Sequence, residues 1–125
     1  MEDFVNFKIA QKLKEKGFNL GVYRYYENEV LKWSNSPWLE PTYNDYKEHI
    51  IAAPTISQVL KWLRDEKKLY VGVTYSPKIE GSQDFYYATI QYIGDYKKTI
   101  YPVDSYVYWE GAALNGIEYV LDNLI

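Results

Sequence analysis

The sequence predicts an α+β domain in which two antiparallel hairpins form a four-stranded sheet, with three helices packed mainly on one face. Three observations carry that expectation. Two segments combine capping residues with apolar side chains at helical spacing, residues 69–76 and 84–93 alternate at the period of a strand, and the order along the chain is helix, hairpin, helix, hairpin, helix.

The first helix has readable ends. Asn6 is a good N-cap, with Val5 and Ala10 placed as a hydrophobic staple. Ile9, Ala10 and Leu13 make the inward stripe, and Lys8, Lys12, Lys14, Glu15 and Lys16 face water. Gly17 suits the left-handed position that ends a helix, and Phe18 is placed to fold back onto Leu13. Phe18 to Tyr26 and Glu29 to Trp33 then read as strands joined by a tight turn at Glu27-Asn28-Glu29, where Asn28 tolerates a positive φ. Alternation puts Leu20 and Val22 on one face and Tyr23 and Tyr25 on the other, with Arg24 falling on the apolar side. Ser34 to Ala53 reads as a long connection broken by prolines, its aromatic residues packed on something, with Tyr46 to Ile51 as a short extended piece.

The second helix opens at Pro54-Thr55-Ile56-Ser57-Gln58, where Thr55 and Gln58 have capping-box spacing. Ile56, Val59, Leu60 and Leu63 share its apolar face, Trp62 lies at the edge, and the helix should stop near Lys68. In the next strand Leu69, Val71, Val73 and Tyr75 alternate with Tyr70, Gly72, Thr74 and Ser76. In its partner Tyr86, Ala88, Ile90 and Tyr92 alternate with Tyr87, Thr89 and Gln91, so one face is dry and the other wet. Pro77 to Gln83 connects these strands. After a turn-rich segment from Gly94 to Pro102, Asp104 or Ser105 caps a last helix. Trp109, Ala113, Ile117, Val120, Leu121 and Leu124 line its apolar face, and small Ala112, Ala113 and Gly116 allow close approach to a sheet.

Composition bounds the function. At 125 residues, 47% apolar and 25% charged, the chain reads as a single compact domain, 1–125, long enough to bury roughly two-thirds of its extended surface. A net charge of −3 argues against a sequence-independent grip on phosphate backbones. With no cysteine, disulfide and thiolate chemistry are excluded. Met1-Glu2-Asp3-Phe4 lacks the pattern of a signal peptide, and the apolar runs are too short to span a bilayer, so a cytoplasmic protein without membrane contact is expected.

Three stretches, Phe4 to Phe18, Ala53 to Arg64 and Ile117 to Ile125, resemble in order and spacing a group of short proteins of unknown function encoded in gut-bacterial and phage genomes. The resemblance implies a phage or mobile-element origin and one α+β domain. It implies no activity and no functional residues. The last helix departs from the group at its start, where Tyr106-Val107-Tyr108-Trp109-Glu110 is more aromatic and less acidic.

No catalytic or metal constellation is legible. His49 is the only histidine and reads as structural, zinc-ligand spacing is missing, and nucleophilic catalysis lacks its base. Gly111 and Gly116 have phosphate-loop spacing, but Ile117-Glu118 replaces the required Lys and Ser/Thr. Glu27/Glu29 and Asp65/Glu66 read as solvated surface, as does the run Lys61, Arg64, Lys67, Lys68. No cofactor is expected. What stands out is fifteen tyrosines and four tryptophans, side chains that serve equally in a small core or at a wet recognition surface. Tyr70 and Tyr87 are expected on the wet face together with Tyr23, Tyr25 and Lys32, and Trp62 as a possible partner anchor. The expected function is a non-enzymatic protein-interaction or accessory module, binding an unknown protein partner or itself. The alternative is single-stranded nucleic acid stacked on the tyrosine-rich face.

Overall fold

The computed structural model describes residues 3–33, 50–77, 84–101 and 104–125. The fold is α+β, with α1 (Phe7–Glu15), β1 (Arg24–Glu27), β2 (Val30–Trp33), β3 (Ile50–Ala52), α2 (Ile56–Glu66), β4 (Leu69–Ser76), β5 (Phe85–Tyr92), β6 (Asp95–Ile100) and α3 (Trp109–Asn123). The strands make two separate three-stranded antiparallel sheets, ordered β2-β1-β3 and β4-β5-β6. The expected single four-stranded sheet is therefore wrong. Each hairpin takes its third strand from the segment that follows it in the chain, so segments that are neighbours in sequence pair with each other. Neither third strand had a strong pattern: β3 is three residues long, and β6 lies in the stretch that reads as turns. The chain divides into two compact units, Met1–Val59 and Leu60–Ile125.

In the first unit, α1 ends as its sequence requires. Asn6 Oδ1 accepts from the Ile9 N–H at 2.9 Å, and Val5 and Ala10 are both buried. Gly17 has φ +85°, and the Phe18 N–H donates to the Leu13 carbonyl at 2.9 Å while Gly17 N–H donates to Lys14, which closes a Schellman motif. The first strand begins at Arg24, not Phe18. Phe18 is buried at the helix end instead of pairing. Asn28 and Glu29 both have positive φ, so the β1–β2 turn is a two-residue type I′ turn with Glu27 opposite Val30. On the other edge of β1, Tyr25 pairs with Ala52 and Tyr26 with Ile51. The extended residues before α1 are tied to the start of α2: Val5 N–H donates to the Pro54 carbonyl at 3.0 Å and Ile56 N–H to the Asp3 carbonyl at 2.9 Å.

The capping box of α2 is formed, with Gln58 N–H donating to Thr55 Oγ1 at 3.1 Å and Thr55 N–H to Gln58 Oε1 at 2.9 Å. Lys68, at φ +56°, turns the chain from α2 into β4. The β4–β5 register matches the alternation, with Val71 opposite Ile90 and Val73 opposite Ala88 on the face that α3 covers. Gly116 permits that packing, because a Cβ there would stand 2.8 Å from Val71 Cγ1 and 2.9 Å from Ala88 Cβ. The last helix starts at Trp109 with Tyr108 as an N-cap that makes no side-chain bond, not at Asp104 or Ser105. Tyr106 exchanges backbone hydrogen bonds with Tyr86 at 2.7 and 2.8 Å, which holds the chain extended until that bridge is passed. Among the described residues, no helix is long and apolar enough to cross a membrane.

Gly116→Ala sets an overpacking cost of about 1–3 kcal/mol against a helix-propensity gain of about 1 kcal/mol. A net destabilisation of about 1 kcal/mol is expected in urea denaturation. Glu29→Gly relieves a left-handed residue and should stabilise the chain by about 0.5 kcal/mol in the same measurement.

Candidate functional site

The tyrosines expected on one surface are split between the two units, and Tyr23 lies just ahead of β1. Tyr23 and Tyr25 belong to the first unit, and Tyr70 and Tyr87 to the second. Tyr23 and Tyr70 are about half exposed (49% and 46%), while Tyr25 and Tyr87 are partly covered. Lys32 is on the first sheet as well, where its Nζ lies 2.7 Å from Glu27 Oε1. Trp62 is 2% exposed, so it serves the core and is no partner anchor on this surface. Its helix face is rotated from the expected one: Trp62 points inward and Leu60 is only partly covered. The basic run is a solvated surface with local partners. Lys61 pairs with Asp65, Lys68 Nζ donates to the Asp65 carbonyl at 2.8 Å, and Lys67 Nζ lies 5.3 Å from the centre of the Trp62 ring.

The β4–β5 face away from α3 is built from rings and hydroxyls. The register places Tyr70 beside Gln91, Gly72 beside Thr89 and Thr74 beside Tyr87. Glycine at position 72 decides how Tyr70 sits. A Cβ there would meet Tyr70 Cε1 at 3.1 Å and Thr89 Oγ1 at 3.3 Å, so the Tyr70 ring lies along the strand over the space a side chain would fill. Tyr87 leans on Phe85, two residues before it, at 6.2 Å between ring centres. Tyr70, Gln91, Tyr92, Ile93 and Gly94 line an open recess of about 530 Å³ at the β5–β6 turn. None of the residues that β4 and β5 turn to this face is charged.

The first unit holds a second aromatic cluster, around Arg24. Its guanidinium lies 4.3 Å from the centre of the Trp33 ring and 5.0 Å from that of Phe4, and the two rings meet edge to face at 6.0 Å. Stacking of this kind contributes about 0.5–1 kcal/mol per ring at exposed sites. It explains how a charged residue occupies the apolar side of β1. Arg24 Nε is buried without a hydrogen-bond partner, and with Asp3, Tyr23, Leu31 and Thr55 these groups line a cleft of about 610 Å³. Below it, Tyr26 packs edge-on against Phe7 and donates its hydroxyl to the Val5 carbonyl at 2.8 Å. Burial raises the Tyr26 pKa above its ordinary value, and the Arg24 charge partly opposes the shift.

Phe4, Arg24 and Trp33 were not among the residues expected to form a site. Trp33 was within reach of the sequence, since the hairpin register puts it opposite Arg24; Phe4 comes from outside the hairpin and carried no such signal. Among the described residues no group of His, Cys, Asp and Glu could hold a metal ion, and His49 lies outside them. The rejected phosphate-loop glycines, Gly111 and Gly116, both lie inside α3. Compared with protein-family models, curated proteins and solved structures, the chain gives no match.

Tyr26→Phe leaves the buried Val5 carbonyl without its donor and should cost about 1–3 kcal/mol. A raised tyrosine pKa favours the neutral phenol in the fold, so its contribution is full below about pH 10 and is lost as pH rises through the folded pKa. Urea midpoints on either side of pH 10 should therefore fall less steeply in Tyr26→Phe than in the parent chain.

Proposed function

We propose that the chain is a non-enzymatic protein-interaction module that binds its partner on the outer face of the β4–β5–β6 sheet. One observation carries this reading: the face that α3 leaves uncovered presents Tyr70, Phe85 and Tyr87 among threonine and glutamine side chains, with no charge contributed by β4 or β5. Tyrosine offers a large contact area and a hydroxyl with little conformational entropy to lose, which suits a polypeptide surface. Single-stranded nucleic acid would stack on the same rings, but such grooves add cations along the backbone path. The expected cation, Lys32, is on the other sheet and engaged with Glu27, which favours the protein reading. The resemblance of three stretches to phage and gut-bacterial proteins supports reading the module as an accessory factor of a mobile element, acting in the cytoplasm.

The test is affinity capture from host extract with the parent chain and with Tyr70→Ser/Tyr87→Ser, each checked by circular dichroism. Loss of a specific captured polypeptide by at least tenfold, with the fold intact, is expected. Equal capture by both chains removes this face as the binding surface. A labelled oligonucleotide that binds at low salt and is released by the double variant would replace the protein reading with the nucleic-acid one.

A further inference from the structure

We propose that β4 pairs with β4 of a second copy of this chain, joining two β4–β5–β6 sheets edge to edge about a two-fold axis at Gly72. The inference rests on the reading of this sheet as the interaction element and names a second copy as one occupant.

The backbone geometry comes first. In an antiparallel ladder, alternate residues turn both N–H and C=O toward the neighbouring strand, and the residues between turn both away. Just before β4, the Ile93 N–H donates to the Lys68 carbonyl at 2.9 Å, so Lys68 faces β5 and the alternation carries Tyr70, Gly72 and Thr74 with it. At the other end Tyr86 uses both backbone groups on Tyr106, on the far side of β5, so its β4 neighbour Tyr75 faces away. The two ends agree. Leu69, Val71, Val73 and Tyr75 direct their backbone groups outward, and no described strand pairs with that edge.

The two edges of the sheet differ in what guards them. Edge strands are normally protected by charges, prolines or bulges. The outer strand β6 carries Asp95 and Lys98, and a register shift lies between it and β5. The opposite outer strand, β4, is eight residues long with no charge, no proline and an unbroken register. A strand of this kind suits its own copy. Centred on Gly72, the antiparallel register sets Val71 against Val73 and Leu69 against Tyr75 of the second copy, and no like charges meet. The pairing also closes, because the six-stranded sheet has a charged β6 at both remaining edges and growth stops at two copies.

Sedimentation equilibrium of the purified full chain should give twice 14.8 kDa. Amide exchange should show Val71 and Val73 protected alongside Gly72 and Thr74, and only the outward pair should lose protection on dilution. Val73→Pro removes an outward N–H without touching the β4–β5 ladder. By symmetry two hydrogen bonds are lost, and the dimer dissociation constant should rise at least about thirtyfold. If that variant fails to fold, Tyr75→Lys, at an exposed position, should yield a folded monomer by setting a charge against Leu69 of the second copy. A chain that stays monomeric at its highest attainable concentration overturns the proposal. So does a dimer that survives both substitutions or leaves the Val71 and Val73 amides unprotected. A monomer that still captures a partner through Tyr70 and Tyr87 would reject edge pairing alone, whereas a β4-linked dimer whose capture ignores those residues would reject the proposed face alone.

Discussion

The second unit is organised by the closeness with which α3 approaches its sheet. At Gly116 the helix backbone comes so near Val71 and Ala88 that no side chain fits between them. Interiors pack at the density of organic crystals, so a gap or an extra methyl at such a point is felt by everything it aligns. With Ala112, Ala113, Ile117, Val120 and Leu121 buried around it, this contact settles which face of β4–β5 is dry. The opposite face, and the ring of Tyr70 laid over Gly72, follow from that choice.

Glycine does related work at other points of the unit, by making room for rings. Gly72 leaves the space over which Tyr70 lies, and at Gly111 a Cβ would come within 2.8 Å of the Tyr106 ring. Tyr106 is itself bonded through its backbone to Tyr86, so the entry to α3 and the end of β5 are set together. In the first unit the comparable device is a cation packed against two rings that touch each other edge to face. Arg24 stands where alternation calls for an apolar side chain, and Phe4 and Trp33 let its guanidinium replace one. The tyrosine-rich composition supplies outward rings in both units, Tyr23 in the first and Tyr70 in the second, beside enclosed rings such as Tyr26.

Much of the fold could be read from local pattern. The caps of α1 and α2, the left-handed Gly17, the turn at Asn28 and the β4–β5 alternation each depend on residues a few positions apart or on a hairpin register, and all are present. What local pattern missed was pairing and orientation. The three residues of β3 are too few to show a period, and the lysines of β6 masked a strand between a glycine and a proline. Trp62 could be placed on a helix face but not turned inward without its neighbours. Of the candidate site, Tyr70 and Tyr87 were correctly put on one surface because the hairpin register defines it. Tyr23 and Tyr25 were joined to that surface only through the assumed single sheet.

By itself, the sequence determined the helices with their caps, the two hairpins, the small residues of α3 and the lack of thiol chemistry, since each is a matter of short-range geometry or of composition. The tertiary structure decided that the hairpins build separate sheets, that Trp62 is enclosed and Arg24 packed against two rings, and that the two edges of the second sheet are unequal. Those outcomes depend on which distant segments meet, and backbone pairing is nearly blind to residue type, so no local pattern encodes them.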